Sequence, residues 1–191
     1  DEMLKVVAEI RAARDETGAK TMIQVGLSTA FGCTIQGDVA ASEVIRLVQG
    51  ALDAGAERIG LADTVGYADP AQVRRLFEAA FRALGPQRDK LSCGHFHDTR
   101  GLALANTLAA LDVGITRFDA SLAGIGGCPH APGASGNSAT EDLVYLLHGL
   151  GAHTGIDLEA LVGCAEWIAA QLGRVPASRV TRALLSRHRA G

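Results

Sequence analysis

The chain has 191 residues, of which 48% are hydrophobic and 20% charged, so it can bury a substantial core and falls within the usual size of one domain. Its formal net charge is −3, from 18 basic and 21 acidic residues. The charges form no basic stripe and no polybasic patch, which argues against nucleic-acid and membrane partners. No apolar run approaches the roughly 20 residues that a membrane-spanning helix needs, and no signal peptide opens the sequence.

Four cysteines stand far apart with no C-x-x-C pair: Cys33, Cys93, Cys128 and Cys164. This spacing argues against a zinc ribbon and against a disulfide scaffold, and it favours a reducing compartment. The chain opens on Asp1, and its first residues already have the pattern of the middle of a helix. We therefore expect a fragment, or a chain without its natural start.

Short β-like runs alternate with amphipathic helical stretches, as in α/β proteins with parallel strands. In chain order the sequence predicts helix 2–17, strand 21–27, helix 40–53, strand 58–62, a helix from 70 that stops at 85–86, strand 91–97, helix 101–113, strand 116–120, a glycine-rich loop 124–137, helix 138–149, and two helices at about 157–172 and 176–188. Asp69-Pro70 supplies an N-cap and a first-turn proline. Ser138 to Glu141 fits a capping box.

Polar residues follow the four predicted strands in turn: Ser28-Thr29, Asp63-Thr64, His95 to Asp98, and Ser121. The carboxyl ends of barrel strands form the rim where TIM barrels carry their chemistry, and four βα units are half of such a barrel. An open doubly wound sheet of four strands is the alternative. We predict one domain over residues 1–191, comprising strands five to eight and the trailing helices of a (β/α)8 TIM barrel whose N-terminal strands are absent.

His95 and His97 are two residues apart on a predicted strand, so both imidazoles project from one face while Phe96 points to the other. Such a pair can bind one metal ion, with Asp98 beside it as a candidate hydrogen-bond partner. Imidazole nitrogens with amide and carboxylate oxygens suit Mg²⁺ or Mn²⁺, although Zn²⁺ or Co²⁺ would also bind. The alternative is a hydrogen-bonded pair of histidines that binds nothing.

Asn137 and Cys128 lie in the glycine-rich loop about thirty residues farther on. The side-chain oxygen of Asn137 is a hard donor for a metal ion, although an asparagine before a helix is also a common cap. Cys128 is flanked by glycine and proline, which is typical of a loop that carries a thiol to a site. A free cysteine is more often an inert small hydrophobe. The glycines match no nucleotide-binding fingerprint, so a phosphate cradle is a weak alternative.

Asp63-Thr64 ends its strand where a carboxylate can orient a substrate hydroxyl, and a carboxylate that caps the following loop is an equal alternative. Arg14-Asp15 resembles a substrate-polarising and metal-binding pair. However, it falls late in an amphipathic helix, so we interpret it as part of a solvated helix face.

Taken together, six segments resemble 3-hydroxy-3-methylglutaryl-CoA lyases, a family of metal-dependent TIM-barrel lyases. The segments are Phe31-Gly32-Cys33, Leu61 to Gly66, His95 to Thr99, Ala105 to Leu108, Gly126-Gly127-Cys128-Pro129, and Ala134 to Asn137. The resemblance runs in order over nearly the whole chain. The Gly-Gly-Cys-Pro loop followed by Gly-Asn is its most specific part.

The resemblance implies metal-dependent cleavage of 3-hydroxy-3-methylglutaryl-CoA to acetyl-CoA and acetoacetate, as in leucine degradation and ketone-body metabolism. His95, His97 and Asn137 would be metal ligands, with Mg²⁺ or Mn²⁺ as the expected ion. Cys128 would be the catalytic acid/base, assisted by His95. Asp63 and Thr64 would contact the acyl-CoA substrate. The implied location is the bacterial cytoplasm, with the mitochondrial matrix as an alternative and a homodimer left open.

Three departures from the family pattern stand beside the resemblance. The strand-one motif, with an aspartate ligand and a substrate-polarising arginine, is not in these residues. His130 replaces an aromatic residue after the Cys-Pro pair, and Gly173-Arg174 replaces an Asn-Arg pair near bound CoA. Two alternatives therefore stay open: a lyase or condensing enzyme for a related acyl-CoA such as citramalyl-CoA, and a catalytically incomplete fragment or pseudoenzyme that serves as a partner-binding module.

Overall fold

The four strands form one parallel sheet whose spatial order matches their order in the chain. The computed structural model describes residues 2–127 and 136–188. Its elements are α1 Glu2–Thr17, β1 Gln24–Leu27, α2 Ala41–Asp53, β2 Arg58–Asp63, α3 Pro70–Leu84, a 3₁₀ turn Gly85–Lys90, β3 Leu91–Phe96, α4 Ala103–Asp112, β4 Arg117–Asp119, a second 3₁₀ turn Leu122–Gly124, α5 Thr140–Gly149, α6 Leu158–Gln171 and α7 Arg179–His188.

The strand order decides between the two predicted architectures. The sheet runs β1-β2-β3-β4, and every neighbouring pair is parallel. A doubly wound sheet reverses its strand order at a switch point, whereas this one does not. Because crossovers between parallel strands are right-handed in nearly all proteins, an order without reversal implies that the connecting helices lie on one face of the sheet. The chain is therefore an α/β protein with the strand arrangement of part of a TIM barrel, as predicted.

Most element boundaries agree with the prediction within a few residues. Asp69 caps α3 as expected, because its Oδ1 accepts hydrogen bonds from the N–H groups of Ala71 at 2.8 Å and Gln72 at 2.9 Å. The predicted strand 21–27 is shorter, since β1 begins at Gln24. None of the helices in the described residues has the length and apolar character needed to cross a membrane.

The predicted capping box at Ser138 is wrong. Helix α5 begins at Thr140, with Ala139 as its N-cap and no side-chain cap. Ser138 is held instead in extended backbone, because its N–H donates to the Phe96 carbonyl and its own carbonyl accepts from Ser121 N–H. Glu141 turns away from the helix end and accepts a hydrogen bond from Ala123 N–H at 2.7 Å. Tertiary pairing therefore overrides the local capping signal.

The core lies between the sheet and helices α2, α3 and α4, and aromatic contacts mark its centre. Phe77 of α3 and Phe96 of β3 are almost fully buried, and Phe31 lies between them, with ring centroids 6.2 and 5.9 Å away. Burial of each such ring contributes about 1.5–3 kcal/mol relative to leaving it exposed. The position of Phe96 in this core confirms that it points to the helix layer.

Two glycines with positive φ in the rim loops give a direct test of packing. Gly66 has φ +68°, and a Cβ placed there would lie 2.7 Å from Cβ of Thr99. Gly101 has φ +72° and open space around it. We expect Gly66→Ala to lower the free energy of unfolding by about 3 kcal/mol, and Gly101→Ala by about 1 kcal/mol, because only the first adds a clash to the backbone strain. Urea unfolding followed by circular dichroism measures both. Equal losses would contradict the packing of Gly66 on Thr99.

Candidate functional site

Two histidines stand side by side at the carboxyl end of β3. The rings of His95 and His97 have centroids 5.1 Å apart and planes inclined by 62°. His95 is half-buried and His97 is buried, with 6% of its surface exposed. Since side chains alternate along a strand and Phe96 points to the helix layer, both imidazoles lie on the opposite face of the sheet. This is the arrangement that the H-x-H spacing predicted.

Asn137 joins these histidines through backbone pairing. It forms an antiparallel bridge with His97, and the flanking hydrogen bonds run from Ser138 N–H to the Phe96 carbonyl and from Asp98 N–H to the Gly136 carbonyl. The segment after the glycine-rich loop is thus hydrogen-bonded to the end of β3 through backbone groups. The structure brings the three predicted ligand residues, His95, His97 and Asn137, into one cluster.

Two polar atoms in this cluster are buried without a hydrogen-bond partner: Nδ1 of His97 and Oδ1 of Asn137. The amide nitrogen of Asn137 donates to the Ile125 carbonyl at 2.9 Å, which fixes the orientation of the amide and directs its oxygen away from that contact. A buried acceptor without a partner costs about 1–3 kcal/mol. Both atoms are lone-pair donors of the kind that bind metal ions.

The electrostatics of the cluster keep its nitrogen donors available. Burial lowers the pKa of His97, and the neighbouring His95 lowers that pKa further. A neutral imidazole is the form that binds a cation. Among the described residues, no three His, Cys, Asp or Glu side chains are grouped so as to hold a metal ion. The third candidate donor here is therefore the amide oxygen of Asn137.

Asp63 is fully buried, and both of its carboxylate oxygens are occupied by backbone groups. Oδ1 accepts from Tyr67 N–H at 2.8 Å and Oδ2 accepts from Ala68 N–H at 3.1 Å. Burial raises the pKa of Asp63, and these N–H donors oppose that rise. This placement corresponds to the loop-capping alternative that the sequence left open. Thr64 is half-buried, and its Oγ1 accepts from Thr29 N–H at 2.9 Å.

Cys128 and His130 lie outside the described residues. The residues that flank this part of the chain are close together, because a Cβ on Gly136 would lie 2.5 Å from the Gly126 carbonyl oxygen. Similarly, a Cβ on Gly126 would lie 2.5 Å from Nδ2 of Asn137. Glycine at both positions is what allows this close approach of backbone to the cluster.

Three residues that sequence reasoning assigned no role shape the rim beside the histidines. Arg100 stacks on Tyr67, with its guanidinium carbon 4.1 Å from the ring centroid. Asn106 is fully buried on α4 and donates through Nδ2 to the Ala68 carbonyl at 3.0 Å. A polar side chain within the apolar stripe of α4 was the available signal for Asn106. No local pattern indicated the contact between Arg100 and Tyr67, which are far apart in sequence.

The fold and this cluster define a partial TIM barrel with a candidate metal centre at its rim, and comparison with known proteins gives the family. Residues 1–168 match the model of the HMGL-like family. The chain is 43% identical over 178 residues to hydroxymethylglutaryl-CoA lyase YngG of Bacillus subtilis, covering 93% of this chain and 58% of that protein. It is 47% identical over 150 residues to (R)-citramalyl-CoA lyase of Chloroflexus aurantiacus, covering 78% of this chain and 46% of that protein.

A solved structure supports the same relationship. An HMG-CoA lyase from Acinetobacter baumannii, in complex with coenzyme A and 3-methylmalate, superposes with a TM-score of 0.83 at 41% identity. The match covers 95% of this chain and 56% of that one. The chain belongs to the HMGL-like family, and it spans a little over half the length of these two hydroxymethylglutaryl-CoA lyases.

Glu141 is hydrogen-bonded to the 3₁₀ turn Leu122–Gly124, and its burial predicts a pH-dependent stability. The side chain is fully buried, Oε1 accepts from Ala123 N–H, and Oε2 has no partner. Burial raises the pKa of Glu141, against the opposing effect of the Ala123 N–H. The folded protein therefore binds the Glu141 proton more tightly than the unfolded chain does. The contribution of protonated Glu141 to the free energy of unfolding is complete below the pKa of Glu141 in the unfolded chain. It is lost as pH rises through the higher pKa of Glu141 in the folded protein.

We expect the unfolding free energy of the wild type, relative to Glu141→Gln, to fall as pH rises from about 4.5, the region where an unfolded glutamate titrates. The variant lacks the titrating group and so lacks this dependence. Urea unfolding at a series of pH values measures the difference, with Glu9→Gln on the exposed surface of α1 as the control. A difference that stays constant across the series would contradict the assignment.

Proposed function

We propose that the protein containing this chain is a divalent-metal-dependent carbon–carbon lyase that cleaves 3-hydroxy-3-methylglutaryl-CoA to acetyl-CoA and acetoacetate. The observation that carries the proposal is the pair of buried, unpartnered donors on His97 and Asn137 beside His95. Hydroxymethylglutaryl-CoA lyases of the same family support the substrate class. We propose an acyl-CoA as its substrate and a role in leucine degradation and ketone-body metabolism. The corresponding location is the bacterial cytoplasm, with the mitochondrial matrix as the alternative. A homodimer is compatible with this function.

The residues present fit a divalent ion. His95, His97 and Asn137 would hold it, and their mixture of imidazole nitrogen and amide oxygen is compatible with Mg²⁺ or Mn²⁺. When bound, such an ion supplies Lewis acidity that lowers the cost of removing a proton from the substrate hydroxyl. Nδ1 of His97 and Oδ1 of Asn137, the two buried atoms without a hydrogen-bond partner, would be the ligand atoms of these two residues.

The chain's own residues account for the proton transfers. The substrate hydroxyl gives its proton to solvent, in a transfer that His95 assists, and becomes the ketone of acetoacetate as the carbon–carbon bond breaks. The bonding electrons pass to the carbon next to the thioester, and the Cys128 thiol protonates that carbon to complete acetyl-CoA. One proton from solvent, equivalent to the proton that the hydroxyl released, then restores the Cys128 thiol.

Covalent geometry supports the participation of Cys128. Only Gly127 separates Cys128 from Gly126 in the chain, and a step of two residues spans no more than about 7 Å. Gly126 itself packs against the Asn137 amide, because a Cβ there would lie 2.5 Å from Nδ2. This short step along the chain is compatible with a substrate-contacting role for the Cys128 thiol.

Thr64 and Asp63 complete the proposed substrate site in different ways. Since Thr64 Oγ1 accepts from Thr29 N–H, its hydroxyl proton is left to donate to a substrate oxygen. The Asp63 carboxylate accepts from Tyr67 and Ala68 N–H, so its contribution is to hold the loop on which Thr64 lies. We propose both as substrate-site residues, with Thr64 making the direct contact.

A second candidate substrate is citramalyl-CoA, supported by the 47% identity to (R)-citramalyl-CoA lyase. Both reactions release acetyl-CoA and differ in the second product, acetoacetate in one case and pyruvate in the other. Analysis of that second product, for the protein encoded by the complete reading frame, separates the two substrates.

The metal site is tested by Mn²⁺ titration of the wild type, His97→Ala and His153→Ala. His153 is an exposed histidine near the end of α5 and serves as the matched control. We expect His97→Ala to weaken Mn²⁺ binding at least tenfold, since even a residue that only supports a metal ligand is worth 10–100-fold, and His153→Ala to bind as the wild type does. Calorimetry measures the affinities. A wild type that binds no Mn²⁺ would instead favour the non-catalytic partner-binding alternative.

The thiol is tested by Cys128→Ala in the protein encoded by the complete reading frame, with Cys164→Ala on the exposed surface of α6 as control. We expect turnover of 3-hydroxy-3-methylglutaryl-CoA to fall by about 10²–10⁴ in the first variant, the usual contribution of a general acid/base, and to be unchanged in the second. Acetyl-CoA release gives the rates, and circular dichroism checks the fold. Near-normal turnover of Cys128→Ala would remove this thiol from the mechanism.

A further inference from the structure

We propose that Arg100 and Tyr67 form a positioning clamp that locks the loop after β2 against the segment after β3 and thereby fixes His97. The clamp joins residues 64–68 to residues 97–100. Its effect on a bound metal rests on the proposed function, whereas its effect on the backbone does not. Neither residue has an assigned role in the proposed chemistry.

Arg100 contacts the loop after β2 in two ways. Its guanidinium carbon lies 4.1 Å from the centroid of the Tyr67 ring, close enough for a cation–π interaction. Its Nη1 also donates to the Gly66 carbonyl at 2.8 Å and approaches the Val65 carbonyl at 3.5 Å. A single side chain therefore holds both a ring and a carbonyl of the neighbouring loop, a geometry suited to the planar, multi-donor guanidinium.

Below Arg100, the loop after β2 and the segment after β3 are in close contact. Gly66 lies so close to Thr99 that an added Cβ would be 2.7 Å from the threonine Cβ. Tyr67 also packs on Gly32 of the loop after β1, where an added Cβ would be 3.0 Å from Cδ2 of the tyrosine. The Tyr67 ring therefore lies between Arg100 and Gly32 and links the loops that follow β1, β2 and β3.

The connection from this clamp to His97 runs through Asp63. The N–H of His97 donates to the Asp63 backbone carbonyl at 3.3 Å, while the Asp63 carboxylate accepts from the N–H groups of Tyr67 and Ala68. His97, Tyr67 and Ala68 thus share one anchor. Arg100 adds its contacts to Gly66 and Tyr67, and on the opposite side His97 is paired with Asn137.

The test is amide hydrogen exchange in the chain with Arg100→Ala, compared with Arg74→Ala. Arg74 is a matched control, because it is likewise an arginine that links two segments: it joins α3 to α4 through an ion pair with Asp112 at 2.7 Å. Exchange of hydrogen-bonded amides reports local opening. We expect the amides of Tyr67, Ala68 and His97 to exchange about tenfold faster in Arg100→Ala and to be unchanged in Arg74→Ala, with amides of the β2 strand unchanged in both.

Conservative variants distinguish positioning from a general loss of stability. Tyr67→Phe keeps the aromatic face and should exchange as the wild type does, whereas Tyr67→Leu should reproduce the faster exchange of Arg100→Ala. Arg100→Lys keeps a cation above the ring but loses the several donors of the guanidinium. Its exchange rates should therefore lie between those of the wild type and those of Arg100→Ala. Wild-type exchange in Tyr67→Leu would overturn the role assigned to the ring.

Mn²⁺ titration of the same variants adds a readout at the cluster itself. We expect Arg100→Ala to weaken Mn²⁺ binding about tenfold, the size of effect seen when a residue that orients a metal ligand is removed, and Arg74→Ala to leave it unchanged. Exchange rates in Arg100→Ala equal to those of Arg74→Ala overturn the clamp whatever the titration gives. Failure of the wild type to bind Mn²⁺ overturns the metal site instead, and the exchange comparison then decides the clamp alone.

Discussion

The segment from Phe96 to Asp98 is fixed by backbone hydrogen bonds on both sides, and the candidate site depends on this constraint. On one side His97 N–H donates to the Asp63 carbonyl, and on the other Phe96 and Asp98 pair with Ser138 and Gly136. Backbone groups buried at a rim must find partners, so the end of β3 has little freedom to move. Main-chain geometry therefore positions the two imidazoles, and the Asn137 amide is held by the same pairing together with its hydrogen bond to the Ile125 carbonyl.

Much of the fold was accessible from the sequence because its signals are local. Alternating strand and helix patterns, the Asp69-Pro70 cap and the glycine stops each depend on neighbouring residues, and the elements formed within a few residues of the predicted positions. The architecture was less determined, since periodicity alone permits a barrel or a doubly wound sheet. The observed strand order, a nonlocal property, decided between them.

The site was partly accessible for the same reason. The H-x-H spacing predicted two imidazoles on one face because the period of a strand is local. The pairing of Asn137 with His97 depends on a chain reversal of about forty residues, and only the family resemblance indicated it. Ser138 shows the opposite failure: its local signal indicated a helix cap, but pairing with Phe96 and Ser121 placed it in extended backbone. Arg100 and Tyr67 left no local trace, because their contact exists only after the loops assemble.

The amide of Asn137 has a further consequence for the electrostatics of the rim. Its nitrogen is committed to the Ile125 carbonyl, so the group presents an uncharged oxygen in a fixed orientation, and the lowered pKa of His97 favours an uncharged ring beside it. Within the described residues, the candidate donors therefore contribute no formal negative charge. These three donors would leave the charge of a divalent cation unneutralised, and that charge would be available to attract an anionic group of a substrate.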